Sequence, residues 1–228
     1  MSRSGTGKAR MGRPPLVDRE AIVRAAVETG FDRLTVSAVA GRLGVSHSAL
    51  YRYFDSRDAL ASAAIDLCVE SVEWPVPSPD WRELLRATAW AYWDLYERHS
   101  GLAAEVSTLR TTSRALVDIS NRTGLALLNL GFGAEDAVLV LDMLGELVTQ
   151  AFLGAPPLPA AVPGKERSHP VGVVDDSRQR RVELMRPWLD HYDRRLRDVL
   201  AEAVERPPAV QFEKKLAIFL AGVAAQFR

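Results

Sequence analysis

The sequence predicts an all-α fold: a small N-terminal bundle of short helices joined to a larger C-terminal helical domain. Three observations point there. Apolar residues recur at helical spacing through residues 18–72 and again through 80–153 and 178–227. No segment alternates convincingly as a strand. Between the two helical regions lies "EWPVPSPD", residues 73–80, whose prolines at 75, 77 and 79 cannot continue a helix and stiffen the chain.

The first region reads as four helices with very short connections. Val17 and Asp18 have the pattern of a staple residue and N-cap, and Ile22, Ala25, Ala26 and Thr29 follow at i, i+3, i+4 and i+7, so helix 1 covers 18–29. Thr35 caps a second helix whose inward residues are Val36, Val39, Ala40 and Leu43. Gly44 follows as its left-handed terminating residue, Ser46 caps a third helix over 46–53, and Ser56 caps a fourth with Leu60, Ala63, Ala64 and Leu67 on one stripe.

In the second region Asp80 caps helix 5, over 81–99, where Trp81, Leu84, Leu85, Thr88, Tyr92, Leu95 and Tyr96 form one face. Trp90 and Trp93 make a second apolar face, and a helix apolar on two sides belongs in the middle of a bundle. Helices are expected near 101–108, 112–130 and 134–153. Proline-rich residues 154–177 have no periodicity and read as a flexible loop or lid, before a charged helix over 178–205 and, beyond Pro207 and Pro208, a last helix to 227.

Composition narrows the function classes. The chain has 228 residues, 47% of them hydrophobic and 25% charged, which excludes wholesale disorder. No apolar run reaches membrane-spanning length and the N-terminus lacks an apolar leader, so a cytoplasmic protein without membrane contact is expected. The single cysteine, Cys68, reads as a buried helix residue. The formal net charge of zero hides an asymmetry, because residues 1–60 carry ten bases against six acids and the remainder is correspondingly acidic. A basic end invites a polyanion, although a solvated tail has the same composition.

Spacing around Gly44 then tests a specific motif. Two helices joined by three or four residues and crossing at roughly 90–120° need a small residue at the crossing and a positive φ at the turn. Ala40 and Gly44 occupy those places, with Val39, Leu43, Val45 and Leu50 as shared core; an ordinary helical hairpin would need neither small residue at this spacing. If the third helix enters the major groove, Thr35, Ser46, His47, Ser48 and Arg52 are candidate DNA contacts, and the hydroxyls of Tyr51 and Tyr53 and the guanidinium of Arg57 are candidate phosphate ligands. Tyr53 also fits a core-edge aromatic, and His47 a solvent-exposed neighbour of the cap. Arg10 and Arg13, in "KARMGRPPL", are suited to a narrow minor groove or belong to an unstructured basic tail.

The run "TVSAVAGRLGVSHSALYRYFDSRDAL", with the helix before it, resembles the DNA-binding domain of the tetracycline-repressor (TetR) family of bacterial transcription regulators. Arg57 stands where that family commonly has lysine. More weakly, "DWRELLRATAWAYWDLYERHSGLAAEV" and "FEKKLAIFLAGV" are similar to the ligand domain of the branch that contains the tetracycline repressors.

The resemblance implies an all-α protein with a three-helix helix-turn-helix DNA-binding domain (17–72), preceded by a basic flexible arm (1–16) and followed by a larger ligand-binding and dimerisation domain (80–228). It implies a homodimer through helices near 134–153 and 208–227, a double-stranded DNA operator, and repression relieved by a small hydrophobic or aromatic effector. Candidate effector contacts are Trp90, Trp93, Tyr96, Leu109, Phe132, Met143 and Trp188, each of which also fits a core position. No metal is carried over, since His99 in "RHSG" reads as a helix-end residue, and no cofactor is expected. The scattered histidines and the lack of a glycine-rich phosphate loop argue against an enzyme. A helical protein-interaction or architectural module is the alternative.

Overall fold

The computed structural model describes residues 17–108, 111, 113–154 and 183–227. The arm with Arg10 and Arg13, Leu109, and loop residues 155–177 lie outside the described residues. Among the described residues every regular element is helical.

Helix α1 (Arg19–Thr29) starts where Asp18 accepts a hydrogen bond from the Ala21 N–H at 2.7 Å. A 3₁₀ turn, Phe31–Arg33, leads to α2 (Val36–Leu43), whose first turn is capped by the Thr35 hydroxyl, 3.0 Å from the Ala38 nitrogen. Gly44 ends α2 in the left-handed region, at φ 67° and ψ 30°, and α3 (His47–Leu50) follows. Helix α3 is shorter than its predicted span: residues 51–53 are turns, and the Tyr53 N–H reaches back only to Leu50, at 2.9 Å. Nor does Ser46 cap it through its side chain, because the hydroxyl lies 2.9 Å from that of Ser48.

Helix α4 (Arg57–Glu70), capped by Ser56, joins the head to the body. It packs on α1 on one side and on α7 (Arg114–Asn129) on the other, which is why Leu60, Ala61, Ala63, Ala64, Ile65, Cys68 and Val69 are all buried. Alanine suits a helix that must be approached closely on both sides. Burial pushes the Cys68 thiol up to about 12, so it is neutral.

Residues 72–80 form no helix, and Trp74 anchors them by donating to the Val69 carbonyl and packing edge-on against Tyr92 at 4.8 Å. Helix α5 (Trp81–Arg98), α7 and α10 (Pro208–Gln226) surround α8 (Ala134–Leu153), while short α6 (Leu102–Ser107) packs on both α8 and the Phe31–Arg33 turn. The predicted 178–205 helix is interrupted. Residues 183–189 are helical, 190–193 are not, and α9 (Arg194–Glu205) restarts where Asp193 accepts from the Arg195 N–H at 2.9 Å. One hydrophobic cluster nevertheless runs from Ile22 in the head through Cys68 and Trp93 to Val223 in α10.

Candidate nucleic-acid interface and ligand cavity

Two short helices and one positive-φ glycine build the exposed end of the head. Val39, Ala40 and Leu50 are buried at the α2–α3 crossing, and the N–H of Val45 closes on the Ala40 carbonyl at 3.0 Å. This leaves Thr35, Ser46, His47, Ser48, Tyr51 and Arg52 exposed, and Arg52 makes no ion pair among the described residues. An imidazole, hydroxyls and a free guanidinium on one protruding turn offer the donors and acceptors that base edges and phosphates require.

Tyr53 and Arg57 are placed differently. The Tyr53 hydroxyl donates to the Val17 carbonyl at 2.8 Å, tying the end of α3 to the segment before α1. The Arg57 guanidinium is gripped by both carboxylate oxygens of Glu105 in α6, with Nη2 to Oε2 at 2.6 Å, and its Nε reaches the Leu34 carbonyl at 3.3 Å. The Glu105 hydrogen bonds raise the Arg57 pKa above its ordinary value. Glu105 is itself 8% exposed. Sequence reading missed it; the only available signal was a single acid in the otherwise apolar "LAAEV".

A second junction pins the other half of α4. Asp66 accepts from the Ser113 hydroxyl at 2.6 Å and from the Ala115 N–H at 3.0 Å, capping the start of α7. The α5–α6 turn also touches the head, where the Phe31 N–H donates to the Ser100 carbonyl at 2.9 Å.

Between α5, α6, α7 and α8 lies a cavity of about 890 Å³. Its walls include Tyr92, Tyr96, Val106, Leu116, Leu128 and Leu141, with Thr149 and Gln150 among the polar lining. The Tyr96 hydroxyl is 2.9 Å from that of Thr149, and burial raises the pKa of both Tyr92 and Tyr96, so the phenols stay neutral. Such a wall holds apolar surface by burial and orients it with a few neutral polar groups.

Of the effector candidates read from sequence that lie among the described residues, Tyr96 alone lines this cavity. Trp93 stacks on Phe212 at 4.7 Å and Trp90 meets the same ring edge-on at 5.1 Å, so both face α10. The Trp90 indole donates to Glu213 and that of Trp93 to Glu97. Phe132 packs against Trp81 beside a separate 330 Å³ pocket. Met143 and Trp188 are exposed, at 45% and 59%, away from the cavity. Residues 90 and 93 lie on one side of α5 and 92 and 96 on the other, and helical periodicity does not say which side meets a void. His99 carries no metal cluster among the described residues; its Nε2 is buried without a partner, and burial lowers its pKa.

A positive-φ turn between crossing helices, an exposed second helix and an all-helical body define a helix-turn-helix architecture. Residues 19–64 match the family described as bacterial regulatory proteins, tetR family. The chain is 25% identical to the class C tetracycline repressor protein of Escherichia coli over 222 residues, which cover 91% of this chain and 90% of that one. Its fold is similar to that of ActR from Streptomyces coelicolor in complex with actinorhodin, with a TM-score of 0.75, 21% identity, and coverage of 93% of this chain and 98% of that one. BioQ, solved from Mycobacterium smegmatis and also with its natural double-stranded DNA operator, is similar in the operator complex over 60% of this chain and 87% of its own, with 22% identity and a TM-score of 0.55. No helix among the described residues is long and apolar enough to cross a membrane.

Proposed function

We propose that the protein is a dimeric repressor that reads a palindromic operator with α3 and is released by a small hydrophobic or aromatic molecule held between α5 and α8. The observation that carries the reading is the exposed His47–Arg52 turn standing on a buried α2–α3 crossing. One such turn covers only a few base pairs, so two copies presented about 34–36 Å apart are needed for a useful site. His47, Ser48 and Arg52 are assigned to base edges, and Thr35, Ser46 and Tyr51 to the flanking backbone. Arg10 and Arg13 are assigned to the adjacent minor groove.

The effector reading rests on the cavity, whose size and predominantly apolar wall suit a small molecule. ActR has been solved with actinorhodin and BioQ with its operator, which is consistent with both halves of the reading. An effector releases DNA only by favouring the arrangement that binds DNA poorly, and a coupling of roughly 1–3 kcal/mol changes affinity about 5- to 150-fold. Replacing Tyr51 and Arg52 together with alanine tests the DNA assignment. Both side chains are exposed, so the fold should survive while binding to a duplex selected by the wild-type protein falls at least tenfold; unchanged binding would remove α3 from the interface.

A further inference from the structure

Helix α6 has two sides with different neighbours. Val106 and Ser107 line the cavity, whereas the adjacent Glu105 turns to the head and grips Arg57 at the start of α4. All three nitrogens of that guanidinium are engaged by protein: Nε with the Leu34 carbonyl, Nη1 with Glu105 and, at 3.4 Å, Asp58, and Nη2 with Glu105. A carboxylate and a phosphate both take a guanidinium through its paired N–H edge, so one edge serves one of them at a time.

We propose that Glu105 sets operator affinity by competing with DNA phosphate for Arg57. The inference rests on the DNA-binding reading above. In the described arrangement Arg57 is withheld. The Glu105 side chain is 9% exposed and that of Arg57 26%, so their attraction is weakly screened by solvent.

The test uses the full-length chain and a duplex enriched from random DNA by the wild-type protein. Affinity is measured by fluorescence anisotropy over a range of salt concentrations. Glu105→Gln keeps the shape of the side chain and removes its charge. It should bind the duplex at least about fivefold more tightly, with the slope of log affinity against log salt steeper by about one phosphate contact. In an Arg57→Ala background the same substitution should give no gain, a result that a merely structural role for Glu105 would not produce.

Glu105→Asp, which shortens the reach but keeps the acid, supplies the readout should the glutamine variant melt early, and is expected to shift affinity in the same direction by less. Binding no tighter than wild type in the folded variant, or an equal gain without Arg57, overturns the proposal. If the wild-type chain enriches no duplex, the DNA-binding reading fails and takes this inference with it. If the duplex is bound normally and Glu105→Gln changes nothing, this inference fails alone.

Discussion

Gly44 and Gly101 both hold positive φ, at 67° and 78°, yet they answer to different constraints. A Cβ on Gly44 would meet open space, so Gly44→Ala should cost only the backbone strain of a left-handed residue, about 1–2 kcal/mol. A Cβ on Gly101 would collide with the backbone of Phe31 and Asp32, coming within 2.9 Å of the Asp32 Cα, so strain is joined by an overlap worth roughly 1–3 kcal/mol more. Thermal melts of the two variants should therefore separate clearly, with Gly101→Ala the less stable; equal midpoints would mean that the α5–α6 turn does not sit against the head as described. The difference also marks what was legible in the sequence. Gly44 was identifiable because its requirement is local, a turn at fixed distance from Ala40 and Leu50. Gly101 and the Arg57–Glu105 pair were not, because each depends on a partner 48 to 70 residues away that no spacing rule specifies.

At the scale of elements, helices announced by a capping residue and a clear stripe were readable: α1, α2, α4 and α5 begin at Asp18, Thr35, Ser56 and Asp80, and each side chain accepts from the first turn. The interruption at residues 190–193 was not, since the apolar stripe Leu184, Trp188, Tyr192, Leu196 and Val199 passes through it in helical register. Only the capping Asp193 marks the restart. Helix α5 posed a subtler problem, because two apolar sides announce burial without saying which one lines a cavity. Its Trp90 and Trp93 side is sealed by Phe212 of α10, 1% exposed and stacked at 4.7 Å. Phe212→Ala should cost about 3–5 kcal/mol and lower the melting midpoint by roughly 10 °C, while leaving the Tyr92–Tyr96 side of the helix intact. A midpoint within a degree or two of wild type would show that the α5–α10 contact is not part of the core.

Across the whole molecule the least explained surface is the outer side of α10. From Ala217 to Ala225 this helix carries no charged residue, and Ala217, Ile218, Ala221 and Gly222 are exposed, Ile218 to 75%. Leu139 and Met143, on the neighbouring α8, add to it. An apolar face of small residues on two adjacent helices suits a four-helix bundle with the same pair from a second copy, and this face was visible in the sequence as a helix with too few polar positions for a monomer surface. Ile218→Asp is expected to yield a folded monomer by sedimentation and to abolish tight operator binding; a dimer that persists would move the interface elsewhere. Operator recognition as proposed requires two α3 turns held at a fixed separation by such a dimer. Selection of bound duplexes from a random pool by the full-length protein addresses that most directly. The expected result is an enriched inverted repeat whose half-site centres lie one helical turn, about 34–36 Å, or a multiple of it apart. A pool that shows no enrichment over competitor DNA at moderate salt, or that yields only unpaired single sites, would contradict it.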